Sequence, residues 1–290
     1  MSWEVFNIRF RIESPIHIGH YTIGILKKTR YYILGKNMWG AITEKLALND
    51  NNHNFRKIGE IVANNLIFSY LYLEDPKNGK LLKPRFTNDG LKYGNYNVYE
   101  FEKRFIRSLV STAIQSDTMS AERESLHETE FISNREIIDE GIGNELYLSG
   151  YLFAKEYKDN NYNIKIENQS VKFNGSDILD DGKYITTGGE RKYGFGRLEF
   201  LGYDKCNHKF ETENNKLIIQ YKKGDSIEAH LIVNDKCSIK GELELLVGRE
   251  YGNSYGNKYS SSQLTWIPGS ILEDSYRLEI CRYGILKACI

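Results

Sequence analysis

The most constraining stretch of this sequence is Gly188-Gly189-Glu190-Arg191-Lys192-Tyr193-Gly194-Phe195-Gly196-Arg197, which runs straight into Leu198-Glu199-Phe200-Leu201. Four glycines in nine positions, with two basic residues among them, feed an alternating apolar strand. Glycine is tolerated where the backbone takes positive φ or must pass very close to another group. Two readings satisfy such a run. The loop can present N–H groups and cations to phosphate oxygens, or it can be a tight connection between two strands.

Composition narrows the class without choosing between these. A chain of 290 residues suits one large domain or two medium ones. Hydrophobic content of 40% beside 27% charged residues is that of a soluble globular protein. There is no run of roughly 18 apolar residues, and Met1-Ser2-Trp3-Glu4 lacks a signal-peptide layout. A cytoplasmic protein with no membrane partner is expected. Zero formal net charge argues against a uniformly cationic surface, while leaving room for a local basic stripe. Cys206, Cys237, Cys281 and Cys289 are widely spaced with no CxxC pair, so neither a zinc knuckle nor a disulfide scaffold is indicated. No metal or cofactor is expected. The 21 tyrosines fit sheets, although tyrosine also stacks on unpaired bases.

Along the chain, Phe6, Ile8, Phe10 and Ile12 alternate with Asn7, Arg9, Arg11 and Glu13, the pattern of a half-buried strand ended by Ser14-Pro15. His17 and His20 are three apart, but no acid or cysteine stands near them at ligand spacing, so a metal role is weakly supported. Tyr31 to Gly35 reads as a short strand and turn. From Asn37, Met38, Ala41, Ile42 and Leu46 fall on one helical face. The helix start after Gly35-Lys36-Asn37 suits an anion. Phe55 to Asn65 reads as another helix, followed by the apolar run Leu66 to Leu73.

Turn signals crowd Glu74 to Tyr99, which reads as a hairpin or insertion. Phe101 to Leu109 is short and mixed. The polar segment Ser116 to Glu130 is of the kind that forms a functional loop or a β-hairpin arm. Leu146 to Tyr157 is a strong strand, Ile164 to Ile166 a possible edge strand, and Ser176 to Asp181 reads as a turn of helix. From Lys216 the pattern is nearly all strand: Leu217 to Lys222, Ile227 to Val233, Ile239 to Val247 and Tyr276 to Leu286. Arg249 to Tyr259 interleaves Gly, Tyr and Asn with basic residues. That composition suits a single-strand RNA contact loop or a solvent-exposed turn. Tyr32-Ile33-Leu34-Gly35-Lys36 and Trp266-Ile267-Pro268-Gly269-Ser270 share an aromatic-Ile-x-Gly pattern, compatible with two related halves.

Taken in order, four places resemble the RAMP superfamily of CRISPR-associated proteins, the RNA-binding subunits of type III effector complexes. The strand followed by Ser14-Pro15-Ile16-His17-Ile18-Gly19 is similar to the family's opening. Tyr32-Ile33-Leu34-Gly35-Lys36-Asn37-Met38-Trp39-Gly40-Ala41-Ile42 resembles its Y-I-P-G-S segment and helix, with Leu34, Lys36 and Trp39 departing from the usual proline, serine and basic residue. Thr112 to Phe131 and then Leu148-Ser149-Gly150 resemble the following arm and strand, and Gly188 to Leu198 the signature glycine-rich loop.

The resemblance implies an α+β fold, with ferredoxin-like (RRM-like) βαββαβ elements and a second, β-rich, degenerate half. It divides the chain into residues 1–204, with an insertion around 74–145, and a C-terminal domain at 205–290. Backbone subunits of the family carry an aspartate in the stretch that here runs His20 to Tyr32 without any acid, which argues against target cleavage. The β-rich half, with Trp266-Ile267-Pro268-Gly269-Ser270-Ile271-Leu272, resembles the group that caps the crRNA 5′ handle. The implied function is a non-catalytic crRNA-binding subunit. Its partners would be crRNA, the large polymerase-like subunit, backbone RAMP subunits and, indirectly, target RNA. The implied RNA contacts are Gly188, Gly189, Arg191, Lys192, Tyr193, Gly194, Gly196 and Arg197, then Gly35, Lys36 and Asn37, then Lys27, Lys28 and Arg30 on the preceding loop. The alternatives are a backbone subunit tiling the guide, and a metal-independent crRNA-processing endoribonuclease using His17 or His20.

Overall fold

The alternation of Phe6, Ile8, Phe10 and Ile12 is realised as the strand Glu4–Ile12, near the centre of a seven-stranded antiparallel sheet in the computed structural model. That model describes residues 2–167, 169–180, 182–206, 210–250, 258–260 and 262–289. All four apolar side chains are at most 3% exposed, and burial of each contributes roughly 1.5–3 kcal/mol. Tyr147–Ala154 pairs along one side of this strand, from Glu4 opposite Ala154 to Arg11 opposite Tyr147. Arg197–Lys205, the strand fed by the glycine loop, pairs along the other. Its register shifts between Ile8 and Phe10, where Leu201 and Gly202 stand against Arg9, a β-bulge taken up by Gly202 at φ +126°. The apolar run after the second helix splits into Leu66–Phe68 and Leu71–Leu73, both on the far side of Tyr147–Ala154. The four main strands therefore lie in the order 197–205, 4–12, 147–154, 71–73.

Helices cover one face of this sheet. Helix α1, Gly35–Leu48, buries Met38, Ala41, Ile42 and Leu46, the face its spacing sets. Helix α2, Phe55–Asn65, is capped by the Asn54 side chain, which accepts from the Lys57 N–H at 3.1 Å. The other face carries Tyr32, Ile67, Tyr70, Tyr72 and Phe153, which pack against Leu217, Tyr221, Leu231, Leu278 and Leu286 of a second seven-stranded sheet. The strand Tyr147–Ala154 alternates half-buried and buried positions up to Tyr151 and is buried from Leu152 to Ala154, where Phe153 meets the second sheet. Among the described residues α-helix is confined to α1, α2 and Val98–Phe105, so the α+β chain is mostly strand.

Several local expectations are corrected. Val98–Phe105 is a helix, α3, held by a reciprocal capping box between Asn97 and Glu100. Ser176–Asp177 pairs as a strand with Ser170–Phe173 instead of making a helical turn; Asp181 lies outside the described residues. Within Ile227 to Val233 only Leu231–Ile232 is strand, though Ile227, Ala229 and Leu231 are buried as the alternation requires. Ile239 to Val247 divides into Ile239–Lys240 and Leu243–Leu246. The two aromatic-Ile-x-Gly segments part company: Gly35 opens a helix, whereas Gly269 turns the chain at φ +96°. Of the stretch Arg249 to Tyr259, residues 251–257 lie outside the described residues.

The insertion 74–99 contains a three-stranded meander, Pro84–Thr87, Gly90–Tyr93 and Tyr96–Asn97. The polar segment that follows is the tip of a β-hairpin arm, Ile106–Ser111 with His127–Ile132. Leu26–Thr29 and Gly19–Ile23 complete its sheet, the latter exposed at every position.

Candidate functional site

The glycine loop closes against the segment that follows the opening strand. Gly189 N–H donates to the His17 carbonyl (2.8 Å) and Gly196 N–H to the Pro15 carbonyl (2.7 Å). Gly188, at φ +84°, would place a Cβ 2.5 Å from the His17 oxygen, and Gly196, at φ +86°, would place one 1.9 Å from the Thr187 oxygen. These two glycines are there because neighbouring backbone fills the space a side chain would need. Gly194 N–H and Tyr193 N–H are also satisfied inside the loop, by Arg191 and Glu190 carbonyls. The run is thus a tight connection in its backbone, and five of its N–H groups, with that of Arg197 donating to Ser14 Oγ, are committed within the chain. Outward it presents the exposed side chains of Arg191, Lys192 and Tyr193.

Beside it a groove of about 770 Å³ opens where three parts of the chain meet. One wall is Gly188, Gly189, Glu190 and Arg191; another is the first turns of α1, with Lys36, Asn37, Trp39 and Gly40; the third comes from the second half, with Leu246, Val247, Gly248, Gln263 and Tyr283. Thr187 ties the first two walls together by donating from Oγ1 to the Asn37 carbonyl at 3.2 Å. Helix α1 has no acid in its first turn and no side-chain cap at Leu34, so the helix itself supplies nothing to offset the positive end of its dipole.

The sequence-derived candidates divide accordingly. Gly188, Gly189, Arg191, Lys36 and Asn37 line the groove. Arg191 is 2.7 Å from Glu44 of α1, an exposed pair of the kind that contributes little and exchanges readily. Lys192 and Tyr193 are exposed on the loop next to it, and among the described residues Lys192 has no ion-pair partner. Gly194, Gly196 and Arg197 do not line it; the Arg197 guanidinium lies over the Tyr184 ring, 3.7 Å from the centroid. Gly35 is buried for a packing reason, since a Cβ there would fall 2.2 Å from the Phe68 oxygen and 2.3 Å from the Tyr283 oxygen.

Lys27 and Lys28 sit on the strand Leu26–Thr29, and Arg30 directly follows it, so the expected loop is a strand. All three meet acids. Lys27 reaches Glu190 at 2.9 Å, Lys28 bonds Glu130, and Arg30, only 8% exposed, forks onto Glu244. Arg30 is a buried cation that pairs across the two halves.

Glu244 is the hub of that junction. Arg30, His20 and His230 converge on its carboxylate, the two imidazoles at 3.5 Å. Burial disfavours the charged carboxylate, but the hydrogen bonds from Arg30, His20 and His230 outweigh it and hold Glu244 well below the usual range. His230 is fully buried, with Nδ1 2.6 Å from the Tyr70 hydroxyl, and burial pulls its pKa down. Tyr32 stacks on Tyr70 at 5.6 Å, and burial raises its phenol to about 12. His17 lines the groove, its Nδ1 2.7 Å from the Glu130 carbonyl. Among the described residues no group of three or more His, Cys, Asp or Glu is placed to hold a metal ion, and no helix is long and apolar enough to cross a membrane.

No family model matches this sequence, and no curated protein matches it either. Solved structures do. One is a chain of type III-B Cmr-beta bound to cognate target RNA, with a TM-score of 0.55 at 10% identity over 92% of this chain and 86% of that one. A second comes from the same Cmr-beta with cognate target RNA and AMPPnP, with a TM-score of 0.54 at 11% identity and the same coverage. This chain shares its fold with those two Cmr-beta chains. The likeness spans both halves of the chain, so the β-rich second half belongs to the common architecture.

Sequence reasoning missed the third wall. Leu246 to Gly248 and Gln263 carry no motif, and Tyr283 lies in a segment that reads as continuous strand. The one available signal was Gly284, a turn residue inside that run.

Proposed function

We propose that this protein is a non-catalytic RNA-binding subunit of a type III CRISPR ribonucleoprotein that grips the single-stranded 5′ handle of the crRNA. It would contact the large polymerase-like subunit and the first backbone subunit. The observation that carries this reading is the groove: a cationic loop, an uncapped helix start and a second-half wall converge on one channel. The strand order 197–205, 4–12, 147–154, 71–73 fits a ferredoxin-like half reaching to about residue 204, with the strands between Tyr157 and Asp177 in place of its second helix. The chain from 205 onward would be a degenerate partner half. Phosphates would pair with Arg191, Lys192 and Lys36, and bases with the aromatic wall, the combination that single strands require. The absence of any acid from His20 to Tyr32 supports a holding role over cleavage.

The test is to assemble the complex with Arg191→Ala and Lys192→Ala together. crRNA retention is expected to fall, with a shallower salt dependence as phosphate contacts are lost. Unchanged retention and an unchanged salt slope would remove the loop from the site. His17 in the groove wall favours one second reading, a metal-independent endoribonuclease. Cleavage of repeat RNA by the purified chain in chelator, abolished by His17→Ala, would establish it in place of the first.

A further inference from the structure

The turn that supplies the groove's third wall is built against its own backbone preferences. Tyr283 stands at φ +65°, ψ +16°, the left-handed region, which a bulky side chain seldom occupies. The neighbouring glycines show what holds it there. A Cβ on Gly284 would lie 2.4 Å from the Phe68 oxygen, and one on Gly35 would lie 2.3 Å from the Tyr283 oxygen. The turn is therefore pressed into the junction of α1 and the Leu66–Phe68 strand, where asparagine or glycine would fit position 283 with less strain. What tyrosine adds is a ring on the groove wall. That ring meets the Trp39 indole edge-on at 5.1 Å, and Trp39 is itself fixed by its Nε1–H donating to the Gly59 carbonyl at 2.9 Å. The Lys36 ammonium stands over the ring, 5.4 Å from its centroid.

We infer that Tyr283, braced by Trp39, is a stacking platform for one unpaired base of the RNA, and that Lys36 takes the phosphate beside that base. This rests on the RNA-binding reading and goes beyond it by placing a base contact in the second half of the chain. A π face that attracts a cation also accepts a nucleobase. The Lys36 stem is long and flexible, so its ammonium can leave the ring for an adjacent phosphate while staying in the groove.

The decisive variant is Tyr283→Asn, because asparagine suits the left-handed backbone and deletes the ring together with its contacts to Trp39 and Lys36. Relief of the left-handed backbone and loss of the Trp39 contact act in opposite directions, so a cooperative melting transition like that of the parent chain is the control that the variant is folded. The probe is a short single-stranded oligoadenylate carrying 2-aminopurine at successive positions, titrated onto the full chain at several salt concentrations. In the parent, fluorescence at one position should be quenched by stacking. In Tyr283→Asn that quenching should vanish and affinity should fall by about 5- to 150-fold, the loss expected for one stacked base. The slope of affinity on salt should stay unchanged, since no phosphate contact is removed. Tyr283→Phe, which keeps the ring, should retain the quenching. If the parent binds with a normal salt slope and Tyr283→Asn binds equally well, the platform is refuted and the RNA reading stands. A fall in affinity accompanied by a shallower slope also refutes the platform, because it means the turn orders phosphate contacts. If the parent shows no salt-dependent binding, both fail.

Discussion

Replacing Glu244 by glutamine should loosen the junction between the two sheets. Arg30 is 8% exposed and forks onto this carboxylate, with Nη1 2.9 Å from Oε2. The Glu244 side chain is 16% exposed, so the pair is desolvated mainly on the arginine side. Removing one partner of a buried pair typically costs about 3–5 kcal/mol, because the other charge is left without compensation. Glutamine keeps one accepting oxygen, and the partial exposure softens the loss, so a cost of about 3 kcal/mol is expected. For a chain of this size that lowers the melting temperature by roughly 6–12 °C. Urea titration at neutral pH gives the free energy directly. The double variant Arg30→Met with Glu244→Leu should recover most of the loss, because no orphan charge remains. A cost below about 1 kcal/mol for Glu244→Gln, the size expected of a surface pair, would refute the view that this cluster holds the halves together.

Two further outcomes follow from the same geometry. His230 is buried with a lowered pKa, so below about pH 6.5 the unfolded imidazole takes up a proton that the folded one refuses. Stability should therefore decline as pH falls from there, by up to about 1.4 kcal/mol per pH unit, joined below about pH 4.3 by loss of the depressed Glu244. The decline just below pH 6.5 should flatten in His230→Gln, and superimposable pH curves would contradict it. Gly196→Ala forces a Cβ to 1.9 Å from the Thr187 oxygen at φ +86°, so urea unfolding should show a loss of at least about 1–3 kcal/mol. A neutral result would mean the loop can open there.

The central strand, α1 and α2 were readable because each rests on local periodicity: Phe6 to Ile12 at period 2, Met38 to Leu46 on one helical face. Helix α3 carried its own signature, Asn97 three residues before Glu100, but turn residues around it mask the pattern. The glycine loop was legible as a place of close backbone approach, while the identity of the approaching backbone, Pro15 and His17, was not. The partners of the basic stretch were not legible for a plain physical reason. Lys27, Lys28 and Arg30 look unpaired in sequence because their acids, Glu190, Glu130 and Glu244, lie 102 to 214 residues away. Long-range ion pairs leave no local trace. The groove's third wall was hidden likewise, since Tyr283 reaches Lys36 and Trp39 only after the second sheet has packed on the first.

The most direct test of the account is ultraviolet crosslinking of the native complex, with the adducted peptides and nucleotides read by mass spectrometry. Adducts are expected at one groove, on Tyr283 in its wall and on Tyr193 of the loop beside it, carrying nucleotides from the 5′ handle. Adducts confined to other surfaces, or a chain that purifies from its complex without RNA contact, would contradict it.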